Sequence, residues 1–170
     1  GVESLSPQEL VRRVLLAPAD LLYNGGIGTY VKASSETNQE VGDKANDAIR
    51  VNGEDLRVRV IGEGGNLGAT QLGRIEAALN GVLVNTDAID NSGGVESSDR
   101  EVNIKILVDG MVQAGLLSPE ERAEFIESMT DEVAELVLRT NVAQNVLLTT
   151  ERARGVEFTE TFIRLMHWLE

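Results

Sequence analysis

With 170 residues, 42% of them hydrophobic, the chain has enough apolar material for one core, or for one core with a helical appendage. Its formal net charge of -13 argues against a nucleic-acid partner, because phosphate backbones are held by clustered Lys and Arg. The lack of cysteine removes disulfides and thiolate chemistry, His167 is the single histidine, and no apolar run reaches the length of a membrane span. A cytoplasmic protein with no membrane partner and no bound metal is expected.

Ser6, Pro7 and Glu9 predict a capped helix start, with Leu10, Val11, Val14 and Leu15 on one face. The stretch DLLYNGGIGTY predicts a brief buried strand ending in a glycine loop at Gly25, Gly26 and Gly28. Residues 33–50 are polar and hold at most a weak helix along Val41, Ala45, Ala48 and Ile49. Asn52-Gly53 is a hairpin signal, and Leu56, Val58 and Val60 fall on one face of the strand after it.

After a run of glycines, Leu72, Ile75 and Leu79 recur at helical spacing until Gly81, and GVLVNTD predicts another short strand. Strand, helix and strand at this spacing make a crossover unit of a parallel sheet. From residue 97 the pattern is helical, first along Ile104, Leu107, Val108, Met111 and Val112. Ser118, Pro119 and Glu121 then cap a run through Phe125, Ile126, Met129, Val133, Leu136 and Val137. His167 and Trp168 read as packing or partner-contact residues, and Arg12, Arg13 and the charges of 120–135 as solvated faces.

Gly62, Gly64 and Gly68 lie between a predicted strand and helix, with Asp87 near the end of the next strand, which invites a dinucleotide reading. The glycine spacing is off by one, and Glu63 sets a carboxylate where a pyrophosphate would lie, opposing the helix dipole. A plain tight turn explains the glycines but not Glu63 and Asn66, two hydrogen-bonding side chains at the carboxyl end of a parallel strand.

In order, the three stretches DLLYNGGIGTY, VIGEGGNLGATQLGRIEAAL and NTDAIDNSGGVESSDREVN resemble the later half of the coenzyme domain of glutamate dehydrogenases. The fit is nearest to the large, NAD-specific bacterial members, over about residues 20–110. The resemblance implies a coenzyme loop facing the nicotinamide half of NAD at Glu63, Gly64, Gly65 and Asn66, with Asn66 near the nicotinamide ribose. It also implies a turn at Asn91, Ser92, Gly93, Gly94 and Val95, whose asparagine bonds the nicotinamide carboxamide. Ser98 corresponds to a serine that binds the side-chain carboxylate of glutamate, although Ser98 and Glu101 also read as a capping box, and Ser97 competes for the role.

The fold expected is α/β: a partial Rossmann-like parallel sheet with flanking helices over residues 1–115, then a helical segment over 116–170. By resemblance the chain is part of an enzyme that deaminates L-glutamate oxidatively to 2-oxoglutarate and ammonia. The family's proton-transfer lysine and aspartate come from its substrate domain, so no catalytic residue is assigned here; Lys32, Lys44 and Lys105 match no motif. The chain is therefore expected to be an inactive fragment whose partners are the rest of the enzyme and further copies of it. The alternatives are a non-catalytic ligand-binding or regulatory module on the same fold, or a related dehydrogenase of an amino acid with an apolar side chain.

Overall fold

The computed structural model describes residues 4–170 and divides them into two compact units, the first ending at Ser98 and the second running Asp99–Glu170. The first unit opens on α1 (Pro7–Leu15), capped as the sequence predicts: the Glu9 amide donates to Ser6 Oγ and the Ser6 amide to the Glu9 carboxylate, at 3.3 and 2.8 Å. Strand β1 (Ala19–Asn24) follows. Short strands β2 (Val31–Lys32) and β3 (Val51–Asn52) pair in parallel. Between them lie α2 (Asn38–Val41) and a 3-10 turn at Lys44–Asn46. Buried Arg50 gathers this polar region, donating to the Thr29 carbonyl at 2.8 Å and Asn38 Oδ1 at 2.9 Å, and pairing with Asp47 at 2.6 Å.

Strand β4 (Val58–Glu63) is the centre of a three-stranded parallel sheet ordered β1-β4-β5, with β5 at Leu83–Val84 and α3 (Gln71–Leu79) connecting β4 to β5. Thr70 caps α3 by accepting from the Gly73 amide at 2.9 Å. The core gathers Val31, Val51, Leu56, Val58, Ile61, Ala69, Ala77 and Val82. Short α4 (Asp87–Asp90) leads into α5 (Ser92–Gln113). The second unit is helical throughout, with α6 (Glu121–Glu127), α7 (Thr130–Ala153) and α8 (Thr159–Leu169) after the later part of α5. The mixed α/β class with a helical C-terminal part is thus as expected.

Several local expectations are corrected. Asn52-Gly53 makes no hairpin: a 3-10 turn (Gly53–Asp55) follows β3. Gly53 is there because α3 crosses it so closely that a Cβ would meet the Gly73 carbonyl oxygen at 2.6 Å and the Ala77 nitrogen at 2.9 Å. That approach also turns α3. Gly73, Arg74 and Ala77 face inward, while Leu72, Ile75 and Leu79 are exposed. On the sheet, Leu21, Val60 and Leu83 share a register row and are all exposed; Ile61 takes the buried position instead. The run expected from Ser118 through Val137 falls in two helices rather than one. The Ser128 and Thr130 hydroxyls bond back to the carbonyls of Phe125 and Glu127, at 2.7 and 2.8 Å, where α6 ends and α7 begins.

Candidate functional site at the carboxyl ends of the strands

Asn24 and Glu63 are register partners at the ends of β1 and β4. The chain after Glu63 must turn sharply to start α3, and four fixed points hold it. The Gly64 amide donates to the Asn24 carbonyl at 2.9 Å. Leu67 takes a left-handed conformation, φ 59°, and its amide donates to Asp87 Oδ2 at 2.8 Å. The Glu63 amide donates to Asp90 Oδ2 at 3.1 Å, and the Gly68 amide to the Glu63 carboxylate itself. Gly68 has no room for a side chain: a Cβ there would lie 2.0 Å from Asn24 Nδ2 and 2.7 Å from Glu63 Oε1.

The Glu63 side chain is only 2% exposed and turns inward. Its Oε2 pairs with Arg74 Nη2 at 3.0 Å, and Arg74 Nη1 donates to the Asn85 carbonyl at 3.0 Å, with Asp87 Oδ1 3.9 Å away. A buried charge without such a partner would cost several kcal/mol. Burial would raise the Asp87 pKa, but the Leu67 amide, the Thr86 hydroxyl and Arg74 outweigh it and hold the carboxyl below its ordinary range. Asp90 shifts the other way. Burial pushes it up, the Glu63 charge adds to this, and bonds from Asn85 and the Glu63 amide, with Arg74 nearby, offset only part.

On the outer side of the loop Asn66 is exposed and Asn91 half-buried, and Asn91 Nδ2 donates to Asn66 Oδ1 at 3.1 Å. The two asparagines singled out from the sequence, 25 residues apart, therefore meet. Gly64 is exposed and Gly65 half-buried in the loop between them and the sheet. Gly93 and Gly94 lie exposed in the first turn of α5, whose opening bonds run from the Gly94 and Val95 amides to the Asn91 carbonyl at 3.0 and 2.8 Å. A Cβ on Gly94 would stand 2.5 Å from Asn91 Oδ1, so the glycine makes room for the amide.

Ser98 is exposed and lies inside α5, which already begins at Ser92, so it caps nothing. The expected turn at Asn91–Gly94 continues directly into the helix, and the capping box of Ser98 and Glu101 does not form. Arg74 and Asp90 escaped the sequence reading. Their one trace in the sequence is Arg74 standing between the small residues Gly73 and Ala77, which marks the helix face that approaches the sheet.

The amide side chains and the glycine loop gather at the carboxyl ends of the parallel strands of an α/β domain, the place where open α/β sheets in general bind ligands. Residues 1–151 match the family model described as bacterial NAD-glutamate dehydrogenase, catalytic domain, and the chain belongs to that family. It is 58% identical over 155 residues to the NAD-specific glutamate dehydrogenase of Mycobacterium tuberculosis, covering 91% of this chain and 10% of that protein. It is 60% identical over 146 residues to the protein of the same name from Halomonas elongata, covering 86% of this chain and 9% of that one. The Pseudomonas aeruginosa protein of that name is 53% identical over 168 residues, covering 99% of this chain and 10% of its own length. The chain thus spans about a tenth of the length of these curated relatives. Among the described residues no helix is long and apolar enough to cross a membrane.

Proposed function

We propose that this chain supplies the nicotinamide-side coenzyme loops of an NAD-dependent enzyme that deaminates L-glutamate oxidatively to 2-oxoglutarate and ammonia. The meeting of Asn66 and Asn91 at the carboxyl ends of the strands carries the reading. Bound NAD would supply the hydride acceptor. Asn91 and Asn66 would hold the carboxamide and ribose, and Gly64, Gly65, Gly93 and Gly94 would let backbone approach the ring. Ser98 would bind the substrate's side-chain carboxylate.

The residues fit the nicotinamide end and not the pyrophosphate. Asp87 and Asp90 stand beside the Glu63–Arg74 pair, an excess of carboxylate that repels phosphate and suits the positive charge of the oxidised ring. Glu63 acts from beneath, as the buried brace of the loop. This chain by itself is proposed to turn nothing over. We place the enzyme in the cytoplasm and propose that it works as a homo-oligomer; the exposed apolar row of Leu21, Val60 and Leu83 is a face for the rest of the enzyme to cover.

The test is Asn91→Ala in the full-length enzyme. Loss of a hydrogen bond that leaves a buried partner unsatisfied costs about 1 to 3 kcal/mol, so turnover or the Michaelis constant for NAD should worsen by roughly tenfold to a hundredfold. Wild-type values for both would overturn the coenzyme role.

A further inference from the structure

We propose that Arg74 is the positioning residue that sets the two coenzyme loops in register. The inference rests on the coenzyme reading above and goes beyond it, because Arg74 belongs to neither loop. It lies on the inward face of α3 and is 6% exposed. One guanidinium arm pairs with Glu63, at the root of the loop that carries Asn66. The other arm donates to the Asn85 carbonyl, at the root of the segment that carries Asn91. Asp87, which catches the Leu67 amide in the first loop, stands 3.9 Å from the same group.

The planar fork of an arginine reaches two acceptors at fixed spacing, whereas a lysine offers one point charge. Arg74 is thus a rigid spacer between the ends of β4 and β5. The distance from Asn66 to Asn91 follows from it, and with that distance the fit of one nicotinamide against both amides. Glu63 is buried with Arg74 as its counter-charge, which explains an acidic residue in a coenzyme loop: the carboxylate fixes the spacer and touches no coenzyme.

The experiment uses the full-length enzyme and two ligands, NAD and ADP-ribose, which lacks the nicotinamide. Arg74→Lys keeps the buried charge and loses the second arm. It should weaken NAD binding roughly tenfold while the dissociation constant for ADP-ribose stays within about twofold. The double variant Glu63→Gln, Arg74→Gln, which removes both buried charges and shortens the reach, should shift the ratio of the two affinities in the same direction. A Lys variant with the wild-type ratio overturns the proposal, and so does a misfolded Lys variant beside a folded Gln pair with the wild-type ratio. Asn91→Ala run in parallel separates the two ideas. If it changes the ratio and Arg74→Lys does not, Arg74 is not a positioning residue; if neither does, the coenzyme reading has failed.

Discussion

Asp87 reaches the candidate site through three groups, the Leu67 amide, the Thr86 hydroxyl and Arg74. Burial opposes its charge, yet its pKa is lowered on balance. The sign follows directly. A carboxyl with a depressed folded pKa stabilises the fold above its unfolded value, and that contribution is lost as pH falls through the folded value. The loss therefore lies below about pH 4. Asp87→Asn should flatten the fall of melting temperature between about pH 4 and pH 2, and should cost about 1.5 kcal/mol at neutral pH, the scale of a hydrogen bond to a charged group. An unchanged acid limb would remove Asp87 from the set of groups that anchor the loop. Asp90, with a raised pKa, works in the opposite sense: its charge is a burden that grows as pH rises through its folded value.

Elements were legible in the sequence wherever a local signal decided them. The Ser6 and Glu9 box starts α1, α3 stops short of Gly81, and parallel β4 and β5 flank a helix as the spacing requires. What periodicity did not reveal is which side of α3 faces in, because close approach to Gly53 and the buried pair of Arg74 with Glu63 outweighed three large apolar side chains. The hairpin failed for a related reason: a glycine needed for helix contact carries the same letter as one needed for a turn. Asn66 and Asn91, which the fold brings together, could be singled out from motif, since each motif is a short local stretch. Arg74 and Asp90 could not, because their role arises from contacts across the fold. Ser98 shows the difference between motif and context. Exposed inside α5, it has no capping role to lose, so Ser98→Ala should change stability by less than about 0.5 kcal/mol. In the full-length enzyme the same change should raise the Michaelis constant for glutamate and erode its preference over norvaline, which lacks the side-chain carboxylate. Intact preference, in this variant and in Ser97→Ala, Ser98→Ala, would end the substrate role.

On the scale of the whole molecule, apolar surface is unevenly covered. In the first unit Leu10, Val11 and Val14 of α1, the Leu21, Val60 and Leu83 row of the sheet and Leu72, Ile75 and Leu79 of α3 are all exposed. Parallel sheets are ordinarily covered on both faces, so this chain taken alone should self-associate, which sedimentation at several concentrations would show; a monomer at every concentration would contradict it. The site itself lies at the carboxyl edge of the sheet, where loops converge independently of those faces. Under the proposed function Asn91 holds the nicotinamide carboxamide. The direct measurement is a double-mutant cycle in the full-length enzyme, wild type against Asn91→Ala, with NAD against the analogue in which an acetyl group replaces the carboxamide. If Asn91 has this role, Asn91→Ala loses roughly tenfold or more in kcat/KM with NAD and far less with the acetyl analogue, leaving a coupling energy of about 1 kcal/mol or more. Equal losses with both coenzymes, or none with either, would contradict it.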